Sequence, residues 1–146
     1  MKKRVFIIAT VACIILILSA SIGVNLYNHT PKRLYEINWD ITLPKKLHSE
    51  FDLSTEPSFH GDGIHYTIFS SKDELPNEFL ADFTQKNIEQ IQEDICGYLE
   101  MIAVPSAYYP DFEHSYSAKT MEMYENKLYL LYDNDTNLLY VVQWMQ

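Results

Sequence analysis

Twenty consecutive residues near the start of the chain, Val5 to Val24 (VFIIATVACIILILSASIGV), carry no charge. A helix of that length covers roughly 30 Å, the hydrocarbon thickness of a bilayer. Lys2, Lys3 and Arg4 precede the run and no basic residue follows until Lys32. The positive-inside rule therefore keeps the N-terminus in the cytoplasm and sends the rest across the membrane. A retained signal anchor and a cleaved signal peptide both begin this way. Val5 to Leu18 has the length of a signal-peptide core, and Ser19-Ala20-Ser21 supplies small residues for cleavage. The apolar stretch runs on through Ile22 and Val24, with Tyr27 where an interfacial aromatic belongs, which favours the anchor. Secretion after cleavage is the alternative. Lipoprotein attachment at Cys13 is the weakest reading, because Thr10-Val11-Ala12 lacks the usual leucine and a long apolar run follows.

Divided at this segment, the net charge of −9 over 146 residues takes on a direction. Residues 25–146 hold eight basic against twenty acidic side chains, a balance of −12. Such a domain is a poor partner for nucleic acid, whose affinity comes largely from Lys and Arg on phosphates. Apolar residues make up 47% of the chain, with four Gly and six Pro, which excludes a disordered tail or collagen. The expected organisation is an anchor over residues 1–24, a polar stalk over 25–33 and one extracytoplasmic domain over 34–146. Cys13 in the anchor and Cys96 in the domain cannot bridge within one chain, so the core alone must stabilise the domain. Cys96 lies among apolar helix residues and reads as a buried structural thiol.

Periodicity gives the elements. Tyr35, Ile37, Trp39, Ile41 and Leu43 alternate with Glu36, Asn38, Asp40 and Thr42, which predicts a strand ended by Pro44. A second strand sets Leu47, Phe51 and Leu53 against His48, Glu50 and Asp52. A third has Ile64, Tyr66 and Ile68 against His65, Thr67 and Phe69. Asp73-Glu74-Leu75-Pro76 opens a short helix with Phe79, Leu80 and Phe83 on one side. Thr84 is the expected cap of a longer helix, in which Ile88, Ile91, Ile95, Leu99 and Ile102 recur at helical spacing until Pro105. Residues 104–120 read as an aromatic loop. Lys127 to Tyr132 and Leu138 to Trp144 flank a five-residue polar loop and form a hairpin, apolar on both faces and so central in its sheet. The order β-β-β-α-α-β-β predicts an α+β domain, an antiparallel sheet of about five strands with helices on one face.

Four places invite a chemical reading. His60, Asp62 and His65 are metal-ligand types around Gly61 and Gly63, although the five-residue histidine spacing is no standard zinc pattern. A glycine turn entering a strand is the simpler reading. Glu36, Asp40, His48, Glu50, Asp52 and His65 would line the face away from the helices, either solvated or open to a basic partner. Asp133, Asp135 and Asn137 open like a calcium loop, but Leu138 and Trp144 stand where that loop needs Gly and Glu. Tyr108, Tyr109 and Phe112 could contact a ligand, or cover the second apolar face of the central strands. Asn28-His29-Thr30 and Asn134-Asp135-Thr136 are glycosylation sequons, meaningful only in a eukaryotic secretory route. Nucleophile, phosphate-loop and CxxC motifs are missing from the sequence.

Phe59-His60-Gly61-Asp62-Gly63 and the C-terminal Tyr132-Asp133-Asn134-Asp135-Thr136-Asn137-Leu138-Leu139-Tyr140 resemble small membrane-anchored or secreted proteins of Gram-positive bacteria. Those carry an FHGDG turn before a strand and a Tyr-Asp-x-Asp-Thr-x-x-Leu-Tyr hairpin. The resemblance implies a bacterial envelope location and one intact domain, and brings no catalytic residue. The expected function is that of a tethered extracytoplasmic binding module without cofactor or catalysis, recognising a protein or small ligand through its FHGDG and Tyr-rich loops. The alternative is a metal-dependent enzyme or metal sensor using His60, Asp62 and His65. A third is an immunity or inhibitor protein that sets its acidic face against a basic partner.

Overall fold

The computed structural model describes residues 12–24, 30–55 and 62–146. Residues 12–24 are helical. Among the described residues no helix is long and apolar enough to cross a membrane, and residues 5–11 of the apolar run lie outside them.

The segment expected as the first strand is a helix, α1 (Pro31–Trp39). Thr30 caps it, accepting a hydrogen bond from the Arg33 amide, and Pro31 starts it with φ already set. Residues 31–33 thus form its first turn and not the end of a stalk. Tyr35 and Trp39 stand one turn apart and are buried together, whereas Ile37 is 58% exposed. Asp40 ends the helix in a left-handed conformation at φ 50°.

Two strands follow, β1 (His48–Ser54) and β2 (Gly63–Ser70), then the short helix α2 (Asn77–Leu80) and the long helix α3 (Ile88–Met101). Thr84 does not cap α3; it bridges to Ala118 at the sheet edge, and Asn87 precedes the helix. The sheet is completed by β3 (Tyr116–Met123), β4 (Asn126–Asp133) and β5 (Leu138–Met145). β3 comes from the end of the expected aromatic loop, so five strands stand although the first expected one is a helix. All pairings are antiparallel, in the order β1-β2-β5-β4-β3.

The helices lie on both faces of this sheet, not one. Tyr35 and Trp39 of α1 pack with Phe69, Leu128, Leu130, Leu139 and Val141, together with Leu75 ahead of α2. Ile95 and Leu99 of α3 pack on Tyr66, Tyr129, Leu131, Tyr140 and Val142 on the opposite face. β4 and β5 are apolar on both sides for this reason: successive side chains serve two cores.

Candidate functional site

His60 lies outside the described residues, as do Phe59 and Gly61, while Asp62 is exposed. Gly63 has a structural reason to be glycine. Its φ is +145°, and a Cβ there would collide with Thr55 Oγ1. Thr55 and Ile64 close the hairpin above this contact, the Thr55 amide donating to the Ile64 carbonyl at 2.9 Å.

His65 faces α1. Its Nε2 meets Asp52 Oδ1 at 2.7 Å, and the same oxygen accepts from Thr67 Oγ1 at 2.6 Å. Thr67 in turn bonds the Tyr35 hydroxyl at 2.8 Å, and the Tyr35 ring stacks on the His65 imidazole with centroids 5.2 Å apart. Directly opposite His65 on β5, Gln143 Oε1 accepts from Trp39 Nε1 at 2.8 Å and from Asn38 Nδ2 at 3.2 Å. Burial pushes the Asp52 carboxyl up, but the hydrogen bonds from His65 and Thr67 and the nearby His65 charge outweigh it and hold Asp52 below its ordinary value. The network ties α1 to β1, β2 and β5. The expected single acidic face is corrected in part: His48, Glu50 and Asp52 on β1 are exposed, with Asp52 paired to His65 and Glu50 accepting from Ser70, but Glu36 sits on α1, receiving the Leu43 amide. Asp40 is the C-cap of that helix.

A second cluster, His114, Asp133 and Asp135, gathers three metal-ligand types within 4.8 Å. Its hydrogen bonds leave little for an ion. Asp133 is buried, with Oδ1 accepting from the amides of Asp135 and Thr136 and Oδ2 from Thr136 Oγ1 and His114 Nδ1. Four donors occupy the lone-pair sites of one carboxylate. Asp135 receives the Ser115 amide at 2.8 Å. The Asp-Asn-Asp-Thr loop is a clasp joining the β4–β5 turn to the segment before β3, in keeping with the failed calcium pattern.

The aromatic loop covers a core, but on the α3 side. Tyr108 stacks on Phe51 at 3.9 Å and its carbonyl accepts from the Tyr66 hydroxyl at 2.6 Å. Tyr109 packs against the same cluster, and Phe112 is 37% exposed beside Tyr116. α1, not the loop, buries the other face. Cys96 is half-buried rather than fully buried, and its surroundings, foremost burial and then Glu100, raise the thiol pKa and suppress the nucleophilic thiolate.

The sequence reading missed an open cavity of about 540 Å³ at the start of α1. Lys32 and Arg33 from α1, and Lys45 and His48 from the run into β1, surround it, with Leu47 and Phe69 as its apolar part. Three of the eight basic residues beyond position 25 thus converge on one hollow of an otherwise acidic domain. Lys32 donates to the Pro44 carbonyl at 2.7 Å, and Arg33 Nη1 meets Glu36 at 3.4 Å. Arg33 Nε is buried without a hydrogen-bond partner. Burial, aided by the charge of Lys45 and opposed by Glu36, lowers the Lys32 pKa. A local signal existed in Lys32-Arg33 and Lys45-Lys46, but only a helical α1 brings Lys32 and Arg33 to the same hollow as Lys45, while Lys46 pairs with Asp73.

Comparison with family models, with curated proteins and with solved structures yields no match.

Proposed function

We propose that the chain is a membrane-tethered domain held outside the cytoplasm, N-terminus inside, which acts by binding and not by catalysis. The observation that carries the tether is the surface of residues 12–24. Ile14 to Leu18 are each between 51% and 67% exposed, and Ile22 and Val24 are 61% exposed, far more aliphatic surface than water tolerates. The two serines of this helix turn inward: Ser19 Oγ donates to the Leu16 carbonyl and Ser21 Oγ to the Ile17 carbonyl, both at 2.9 Å. Hydroxyls satisfied within their own helix suit a lipid environment, where no water replaces a missing partner.

Binding is favoured over catalysis by where the reactive side chains are. His65, Asp52, His114 and Asp133 are committed to one another and to backbone groups that hold the fold. The open cavity instead offers cations and an apolar wall, a set suited to recognition. The test is alkaline extraction of native membranes followed by a broad hydrolase screen on the full chain in detergent. The proposal expects the chain to stay with the bilayer and to turn over no substrate. Release into the supernatant would remove the tether, and metal-stimulated turnover would revive the reading through His60, Asp62 and His65.

A further inference from the structure

The cavity at the start of α1 has a charge pattern that narrows its ligand. The side chains of Lys45 and His48 make no ion pair or hydrogen bond among the described residues. Arg33 Nε lacks an acceptor. Lys32 stands close enough to Lys45 for the two charges to oppose each other. Glu36 offsets one of these charges, and the positive charge that remains in the hollow is unfavourable until an anion enters. A carboxylate brings a single charge in a plane and suits one guanidinium; three cations arriving from a helix and a separate loop suit a group with more charge and oxygens on several sides. The backbone amides of the first turn do not explain the site, because Arg33 N is taken by Thr30 Oγ1 and Leu34 N by the Thr30 carbonyl. Recognition falls to the side chains.

We infer that this cavity binds a phosphate-bearing anion through Lys32, Arg33 and Lys45, with Leu47 and Phe69 against the apolar part of the same molecule. Two sources share that chemistry: the headgroup of an anionic phospholipid and a soluble phosphate ester. Chain geometry allows the first. Six residue steps separate Val24 from Thr30, and a fully extended chain covers no more than roughly 20 Å in that distance. A cavity on so short a tether stays near the headgroup layer. Charge on the molecule's other side works in the same direction: α3 carries Glu89, Glu93, Asp94 and Glu100 and no basic residue. An anionic surface would repel that side and admit the α1 side. The inference rests on the tethered binding module proposed above for its lipid arm alone.

The experiment uses the full chain in two preparations. In detergent, sn-glycerol 3-phosphate and inorganic phosphate are titrated while Trp39 fluorescence is followed, since Trp39 lies on α1. In nanodiscs, hydrogen exchange over residues 30–49 is compared between pure phosphatidylcholine and a phosphatidylglycerol mixture. Lys45→Glu and Arg33→Gln are the test variants. Lys86→Glu, outside the cavity, is the control, and near-UV circular dichroism confirms that each folds. Saturable binding in detergent, weakened about fivefold or more by each test variant and not by the control, supports the inference with a soluble source. Exchange protection in phosphatidylglycerol discs alone, lost in Lys45→Glu, supports it with a lipid source. No binding in either preparation, or binding that the test variants leave unchanged, overturns it. Failure of the chain to enter nanodiscs would count against the tether while the detergent titration still decides the cavity.

Discussion

Asp133 shows how one buried carboxylate can organise a corner of the molecule. Its four hydrogen bonds include the 2.8 Å bond from His114 Nδ1. Desolvation raises its pKa, but the bonds from Thr136, His114 and the loop amides prevail and hold it below 3.8. The hydrogen bond to Asp133 raises the His114 pKa above 6.5, against a smaller opposing effect of desolvation. A raised histidine stabilises fully below its unfolded value and loses that contribution as pH climbs through the folded one; a depressed carboxylate does the reverse. The clasp is therefore at full strength between about pH 4 and 6.5. Urea unfolding across pH should show the gap between the native chain and His114→Gln narrowing above pH 6.5. A constant gap would mean the histidine acts by packing alone. Asp133→Ala leaves four donors without their acceptor and is expected to cost about 3 kcal/mol in the same assay. At Gly63 the obstacle is steric, since a methyl group would strike Thr55 at a φ that side chains avoid. Gly63→Ala should lower stability by about 2 kcal/mol, measured by chemical denaturation.

Among the elements, α1 decides the architecture. It closes one core through Tyr35 and Trp39 and carries two cations of the cavity. Trp39→Ala should cost about 3 to 5 kcal/mol in denaturant unfolding, through lost burial and the loss of the shorter of the two hydrogen bonds to Gln143. It should also loosen hydrogen exchange over residues 31–39. The element was open to two readings from sequence, because Tyr35, Ile37 and Trp39 satisfy period two while Tyr35 and Trp39 alone satisfy the helical repeat. Thr30-Pro31 would have arbitrated, being a capping residue before proline, but the charged neighbours made that stretch read as a stalk. α3 was legible because its five isoleucine and leucine positions span four turns, enough for the period to be unambiguous. β3 was not: Tyr116, Ala118 and Thr120 mix sizes and polarity, and the strand exists because β4 offers it an edge. The hairpin β4–β5 needed no arbitration, its two apolar runs meeting across a polar loop. The cavity was illegible for a further reason, since Lys32 and Lys45 become neighbours only once α1 folds back along β1.

On the scale of the whole molecule, the proposed orientation draws on charge, hydropathy and topology. The aliphatic helix of residues 12–24 precedes the sheet domain, the cationic cavity opens on α1 near that end of the chain, and the acidic α3 lies across the sheet. The β3–β4 turn gives a direct way to ask which side of a membrane the domain occupies, because Tyr124 there is 98% exposed. A full-length chain with Cys13 and Cys96 changed to Ala and Tyr124→Cys placed in the turn would be expressed in bacterial cells and treated with a membrane-impermeant maleimide. A domain tethered outside the cytoplasm is labelled in intact cells and recovered with the membrane fraction; labelling that appears only after lysis would contradict the orientation on which the account depends.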